Sequence, residues 1–382
     1  MPAIATTSIP FNKPSLSGRE LHYAAEAILN RHSAADGPFS KRCQELLEAT
    51  LGAPKVLLTS SCTDALEMAA MLIGIEPGDE VIVPSYTFVS TANAFVLRGA
   101  RPVFADIRRD TLNLDETQLE SLISPRTKAI VPVHYAGVGC DMDAILAAAE
   151  RHGIRVVEDN AHGLYARHNG RYLGTFGSLA TQSFHETKNI ICGEGGALVI
   201  NDPDMIERAQ ILHDKGTNRS HFLQGQVDKY SWVDIGSSFG MSDLLAAFLY
   251  AQLEQREHIY SRRRAVWEFY DQALAGWAEN HGVKHPSIPA SAEQSYHMYY
   301  LILPSLADRQ RFTEHLTARG IMGLFHYVPL HSSAMGLRFG ASPSQCPVTT
   351  WASERLIRLP FFNDLTSEDQ SQVVDAIHSF EC

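Results

Sequence analysis

Two familiar nucleotide-binding patterns are missing from this 382-residue sequence. It has no GxxxxGK loop, and no GxGxxG run follows a candidate strand. The first absence excludes a Walker-type phosphate loop, and the second counts against a nicotinamide-dependent dehydrogenase. The six cysteines are dispersed without CxxC or histidine-rich spacing, so we expect reduced thiols and neither a disulfide framework nor a metal site.

Positive charge and long apolar runs are also scarce. The net charge of -11 argues against nucleic-acid binding, which needs clustered lysine and arginine. The one basic cluster, Arg262-Arg263-Arg264, lies in a helical pattern and is expected to be a solvated face. The most apolar helical stretch, 65–75, contains Glu67 and is too short to cross a bilayer. The first ten residues do not resemble a secretory signal. We therefore expect a cytoplasmic location and no membrane or nucleic-acid partner.

Short apolar strands alternate with helical patterns between Val56 and Ile200. This rhythm predicts an α/β fold, with a mostly parallel central sheet covered by helices on both faces. Ligands of such sheets bind at the carboxyl ends of the strands. A long helical pattern at 241–277 leads to a second region, predicted as a smaller C-terminal α/β domain. We expect a large domain with an N-terminal arm over residues 1–250 and a small domain over 251–382.

An acid and a lysine follow two of the candidate strands. Asp159 ends the apolar run 155–157, and Lys188 lies between the strand 179–184 and a glycine-rich turn. A lysine that can form a Schiff base, together with an acid that keeps a ring nitrogen protonated, is what pyridoxal 5'-phosphate (PLP) chemistry requires. The alternatives are a surface lysine in a turn and an aspartate that caps the next helix.

Other strand ends could hold the remaining parts of such a cofactor. Ser61, Cys62 and Thr63 precede a helix whose N-terminal amides would bind a phosphate, although plain helix capping accounts for them as well. Tyr86 or Phe88 could stack on a pyridine ring, or pack at a domain seam. The sequence alone leaves both alternatives open.

Several polar residues allow both a functional and a structural interpretation. His162 could hydrogen-bond the phenolic oxygen of the cofactor or be a core histidine. His326 and His331 lie on a turn of the small domain, either at the core rim or facing the cleft. The stretch 215–238 has little periodicity, and its length indicates a functional loop.

Six ordered segments resemble the DegT/DnrJ-type nucleotide-sugar aminotransferases over about residues 9–380. They are Ser61–Leu66, Pro84–Phe88, Glu158-Asp159, Ser183–Lys188, Gly195-Gly196 and Tyr327–His331. The resemblance implies a fold-type I, PLP-dependent enzyme that acts as a homodimer with shared active sites. It further implies amino transfer from L-glutamate to C4 of dTDP-4-dehydro-6-deoxy-D-glucose.

The resemblance also assigns roles by motif position. Lys188 would carry the cofactor and move protons, Asp159 would pair with the pyridine nitrogen, and Phe88 would stack on the ring. The remaining cofactor-binding residues would be Ser61, Cys62, Thr63, His162, Ser183 and Ser238. The substrate-binding residues would be Tyr86, His185, Glu186, Arg219, Lys229, Tyr230, His326 and His331.

One segment departs from the family pattern. Where many relatives have an Asn-Tyr-Arg-Met run, this chain has Ser238-Phe239-Gly240-Met241. Ser238 is shorter than asparagine, and Gly240 removes an arginine that could bind the amino donor's carboxylate. The alternatives to the stated function are an aminotransferase for another keto-sugar, GDP-linked or aminated at C3, a sugar dehydratase, and a cofactor-binding regulatory protein. Dehydratases of this type lack the Schiff-base lysine.

Overall fold

A computed structural model describes residues 9–219, 222 and 225–381. The strands are β1 (Lys55–Thr59), β2 (Glu80–Pro84), β3 (Arg101–Ala105), β4 (Thr127–Ile130), β5 (Arg155–Asp159), β6 (Arg167–His168), β7 (Arg171–Tyr172), β8 (Leu179–Ser183), β9 (Gly196–Ile200), β10 (Ala292–Glu293), β11 (Tyr300–Ile302) and β12 (Leu356–Arg358). The longer ones lie close to the apolar runs expected from the sequence.

Helices alternate with these strands. They are α1 (Glu20–Leu29), α2 (Pro38–Leu51), α3 (Cys62–Leu72), α4 (Val89–Val96), α5 (Leu119–Leu122), α6 (Met142–His152), α7 (Ile206–His213), α8 (Asp243–Glu254), α9 (Arg256–Asn280), α10 (Leu306–Thr317), α11 (Ala334–Arg338), α12 (Pro347–Arg355) and α13 (Ser367–His378). The long pattern at 241–277 is therefore two helices that meet at Gln255, and not one.

The central sheet of the described residues has the strand order β1-β9-β8-β5-β4-β2-β3. Neighbouring strands from β8 to β3 pair in parallel, whereas β9 is antiparallel to both β8 and β1. The expected α/β fold with a mostly parallel sheet is thus confirmed. Strands β1, β2, β5 and β8 all end at one edge, so the segments that follow them come together.

Apolar layers cover both faces of the sheet. On one face, α3, α4 and α7 bury residues such as Leu66, Phe95 and Leu212. On the other face, α2 and α8 pack against β1, β8 and β9, and α6 packs farther along the sheet. Burial of this apolar surface is the main favourable term that stabilises the sheet.

The C-terminal region has its own apolar core. It runs from Val266 to Phe380 and also includes Ile9 from the N-terminal arm. Strands β11 and β12 pair there, and an aromatic layer joins the region to the large sheet through Tyr86, Tyr135 and Tyr300. Within the described residues, we find no helix that is long and apolar enough to span a membrane.

Candidate functional site

Lys188 lies in a hairpin that connects β8 to β9. The backbone N–H of Phe184 donates to the carbonyl of Gly195 at 2.8 Å, which extends the pairing of the two strands beyond the sheet. A tighter turn follows, in which the Lys188 N–H donates to the His185 carbonyl at 2.9 Å. The hairpin therefore holds the backbone of Lys188 beside the carboxyl edge of the sheet.

The environment of Lys188 favours its neutral amine. Burial lowers the pKa of Lys188, and this effect outweighs the opposing influence of Cys62 and Asp159. The Arg358 guanidinium lowers the pKa further. Only a neutral amine can attack an aldehyde carbon, so this environment favours Schiff-base formation.

Asp159 and its neighbour Glu158 point to opposite faces of β5. One Asp159 carboxylate oxygen accepts from the Thr91 hydroxyl at 2.7 Å, and the other accepts from the Ala161 N–H at 3.2 Å. The Glu158 carboxylate is also buried, and it accepts from the backbone N–H groups of Gly174, Phe176 and Gly177 and from the His134 ring. Asp159 thus faces the Lys188 side, and Glu158 braces a turn.

The start of α3 meets the β8–β9 strand pair at the same edge. Ser61 caps the helix, because its Oγ accepts from the Asp64 N–H at 3.0 Å. A Cβ at Gly196 would lie 2.4 Å from the Ser61 carbonyl carbon and the Cys62 nitrogen, so only glycine permits this close packing. Ser183 pairs with Gly196 across the two strands. The structure therefore gathers the predicted phosphate-binding residues.

At the start of α3 the Cys62 and Thr63 side chains are uncharged, and the Asp64 carboxylate of the first turn accepts a hydrogen bond from the Ser60 hydroxyl. Burial raises the pKa of Cys62 to about 12, so the thiol keeps its proton. The Thr63 hydroxyl lies 2.8 Å from that of Ser90. The first-turn amides and the helix dipole suit an anion, so this end fits the phosphate of PLP.

The two candidate stacking aromatics occupy different environments. Phe88 precedes α4 and is 58% exposed, so a face of its ring is free for a ligand. Tyr86 is fully buried, with ring centroids 5.3 Å from Tyr135 and 5.7 Å from Tyr327. Tyr86 therefore packs at the domain seam, which does not favour the expected substrate contact.

Three histidines, His162, His297 and His326, form a histidine stack behind Lys188. The His162 and His297 rings are stacked at 4.2 Å, and His326 lies 6.1 Å from His162 on the other side. The His162 Nδ1 is buried and has no hydrogen-bond partner among the described residues. Such an orphaned nitrogen suits the expected contact with the cofactor's phenolic oxygen.

Arg263 fixes the backbone at the His297 end of this stack, and the expectation of a solvated arginine face is wrong at this position. The Arg263 guanidinium donates to the carbonyls of Tyr296 and His297 and to the Asn363 side chain. Its side chain is buried, and burial lowers its pKa. Helix α9 turns this residue inward between neighbours that stay exposed.

The histidine stack should make the free energy of unfolding depend on pH. Burial lowers the pKa of His162, His297 and His326 in the folded protein, whereas unfolded histidines titrate near about 6.5. Below about pH 6.5 the unfolded chain binds more protons than the folded chain. The free energy of unfolding therefore keeps its full value above about pH 6.5 and falls as the pH drops toward the lowered native pKa values. Urea unfolding at pH 8 and pH 5.5 should show a loss of about 1 kcal/mol or more per histidine.

Two variants serve as comparisons for this pH dependence. His297→Asn removes one titrating group and should flatten the slope of stability against pH. His285→Asn should steepen it, because the hydrogen bond with Asp271 raises the pKa of His285 and stabilises the fold at low pH. An unchanged slope in His297→Asn would contradict the explanation.

The other predicted substrate-binding residues divide into two groups. His185 and Glu186 lie on the Lys188 hairpin with accessible side chains, and the His185 Nε2 is 3.5 Å from Glu194. His326 is buried beside Tyr135, with 3.1 Å between its Nδ1 and the tyrosine hydroxyl. His331 is fully buried, with the Ser85 hydroxyl at 2.6 Å from Nδ1 and the Pro343 carbonyl at 3.3 Å from Nε2. Both of its ring nitrogens are engaged, which makes His331 a structural residue.

Most of the described residues of the 215–238 loop are exposed. Arg219 lies 3.9 Å from Asp214, and the Tyr230 ring contacts Phe222. Tyr230 and Lys229 are exposed, as is Ser238, which pairs with Asp214 at the base of the loop. Residues 220, 221, 223 and 224 lie outside the described residues. The described contacts of Arg219 and Tyr230 stay within the loop and its base.

Comparison with known proteins identifies the class. The model of the DegT/DnrJ/EryC1/StrS aminotransferase family matches residues 16–378, and the chain belongs to that family. The protein MJ1066 of Methanocaldococcus jannaschii, itself uncharacterized, is 31% identical over 382 residues and 98% of each chain.

Solved structures of aminotransferases are similar to this chain over nearly its whole length. The aminotransferase TlmJ from Streptoalloteichus hindustanus is 31% identical, with a TM-score of 0.89 over 97% of this chain and 98% of that one. Spr1654 from Streptococcus pneumoniae, in its PLP form, is 27% identical with a TM-score of 0.89 over 97% and 98%. The protein is therefore a PLP-dependent aminotransferase of fold type I.

Some residues of this site carry no signal in the sequence. Thr91 lies in the first turn of α4, and His297 and Arg358 belong to no motif. Only the folded chain brings them beside Asp159, His162 and Lys188. Their positions in the site are determined by tertiary packing and not by a local sequence pattern.

Proposed function

We propose that the protein moves the amino group of L-glutamate to C4 of dTDP-4-dehydro-6-deoxy-D-glucose. The product would be dTDP-4-amino-4,6-dideoxy-D-galactose, a building block of the kind used in enterobacterial common antigen. The observation that carries the proposal is Lys188, whose pKa is lowered beside the buried Asp159 carboxylate. The choice of sugar and nucleotide derives from the segments that resemble transaminases of this specificity.

The chain's own residues would divide the work. Bound PLP supplies an electron sink that stabilises negative charge on the carbon that loses its proton. Lys188 removes a proton from the amino donor and later delivers one to C4 of the sugar. Asp159, fixed by Thr91, holds the proton on the pyridine nitrogen, and Phe88 covers the ring. The neutral His162 accepts or donates a hydrogen bond without adding charge.

We further propose that the active sites are shared in a homodimer. The loop at 215–238 exposes Trp232 by 80% and Val233 and Tyr230 by 52% each. Exposed apolar groups at this density mark a surface that a partner covers. Covered by a second copy, this loop would bring Arg219 and Lys229 to the partner's nucleotide sugar and Ser238 to its cofactor phosphate.

A direct assay tests the substrate assignment. With L-glutamate as donor, the dTDP-linked 4-keto sugar should be aminated at least about 100-fold more efficiently than its GDP-linked counterpart, since specific polar contacts carry such ratios. NMR of the product should show the galacto configuration at C4. A preference for the GDP sugar, or amination at C3, would replace this assignment with the corresponding alternative. A regulatory protein would show no turnover with either sugar.

A further inference from the structure

Arg358 is a partly buried arginine of the C-terminal region. It ends β12, where its backbone exchanges hydrogen bonds with Leu324 at 2.8 and 3.1 Å. Its Nη2 donates to the Phe325 carbonyl at 3.1 Å, and its guanidinium lies 4.5 Å from the Phe11 ring centroid. Its Nε is buried and has no hydrogen-bond partner among the described residues. The guanidinium therefore has unused donors.

Contacts connect Arg358 to the Lys188 side of the sheet. Arg358 pairs with Tyr300 between β12 and β11, the Tyr300 ring lies 5.9 Å from that of Tyr135, and the Tyr135 ring lies 6.0 Å from that of His162. Together with burial, the Arg358 charge lowers the pKa of Lys188, His162 and His326. Burial lowers the pKa of Arg358. Among the described residues, the groups that oppose this effect are the phenols of Tyr135, Tyr327 and Tyr86. Burial raises the pKa of each of these phenols, so they stay neutral.

A partly buried guanidinium that faces neutral phenols has lost part of its hydration, and a bound anion would offset that cost. The guanidinium fork matches a carboxylate with paired hydrogen bonds. Gly240 stands where many relatives have an arginine, so the carboxylate of the donor lacks that partner. The keto-sugar carries no carboxylate, and its diphosphate is the other anion that a guanidinium matches, so the two half-reactions must distinguish the two occupants.

We propose that Arg358 binds a carboxylate of the amino-acid donor beside Lys188. This inference rests on the proposed function in so far as the donor is an acidic amino acid. It gives the small domain a direct part in the first half of the reaction. The guanidinium would hold the donor while the Lys188 amine acts on it.

Binding of an unreactive donor mimic tests the proposal without turnover. Glutarate, titrated calorimetrically into the PLP-loaded protein, should bind about 30-fold more weakly to Arg358→Met, since one charge-assisted pair is lost. Arg358→Lys keeps the charge without the fork and should fall between the two. The matched control is Arg355→Met, because Arg355 donates to the Pro304 and Trp351 carbonyls at the surface and should leave the affinity unchanged.

The two half-reactions separate this proposal from the proposed function. The L-glutamate concentration that half-converts the bound PLP should rise about 30-fold in Arg358→Met. The half-saturating keto-sugar concentration of the pyridoxamine phosphate form should stay within about twofold. Wild-type affinity for glutarate in Arg358→Met, or an equal loss in both half-reactions, would overturn the role of Arg358 alone. If the wild-type protein neither binds glutarate nor reacts with L-glutamate, the proposed amino donor is wrong, and the proposed role of Arg358 is wrong as well.

Discussion

Replacement of Lys188 by alanine is expected to abolish amino transfer, with a loss of at least about 10⁴-fold, because one side chain both holds the cofactor and moves the proton. The visible absorbance of lysine-bound PLP should disappear as well. Cofactor binding through phosphate and ring contacts should persist, since the α3 start and Phe88 are unchanged. Absorbance spectra and single-turnover assays of each half-reaction measure these effects.

Lys128→Ala is the matched control for this prediction. Lys128 is exposed in β4, and it is one of only eight lysines in the chain. Its loss should leave both the spectrum and the rates within about twofold, as is usual for surface substitutions. Full activity of Lys188→Ala would contradict the assignment of the catalytic lysine.

Loss of charge at the adjacent carboxylates Asp159 and Glu158 should affect different properties, namely the reaction rate in one case and the stability of the fold in the other. Asp159→Asn keeps the size of the side chain but removes the charge that holds the ring nitrogen protonated, so kcat should fall about 10²- to 10³-fold with little change in folding. Glu158→Gln should instead lower the free energy of unfolding by about 3 kcal/mol, because the buried carboxylate accepts three backbone N–H bonds and the His134 contact.

The comparison between these variants is the test. Urea unfolding and steady-state kinetics, measured on both proteins at saturating PLP, separate chemistry from folding. A drop in kcat for Glu158→Gln as large as that for Asp159→Asn would contradict the division of roles along β5. A failure of Asp159→Asn to fold would also lower its kcat, so the unfolding midpoint of this variant is measured first.

Periodicity and strand ends predict much of this protein. Alternating strands and helices are local patterns, and parallel sheets bring successive strand ends to one edge, so Asp159, Lys188 and the Ser61 turn could be expected to meet. The break at Gln255 could not, because the helical pattern continues through it. Helix boundaries depend on caps and packing more than on periodicity.

The charged residues of the seam show where sequence reasoning fails. A run of three arginines is usually solvated, yet Arg263 is buried because its partners, the carbonyls around His297, come from a segment that follows in the chain. Arg358 likewise acquires its position from the packing of β12 against the aromatic layer. Burial of a polar side chain depends on long-range contacts, which no local pattern encodes.

The hairpin that carries Lys188 limits how the chain length can change. The strands on either side, β8 and β9, are paired up to Ser183 and Gly196, and the Phe184–Gly195 bond fixes the register. One residue inserted in β8 would slip this register by one position and move the start of the hairpin by about 3.3 Å along the strand. The described part of the 215–238 loop is paired at its base, where Thr217 bridges Trp232 and Asp214 bridges Ser238. Under the proposed function, new sugar specificities would arise through insertions and deletions beyond that base, while the reacting amine of Lys188 keeps its position.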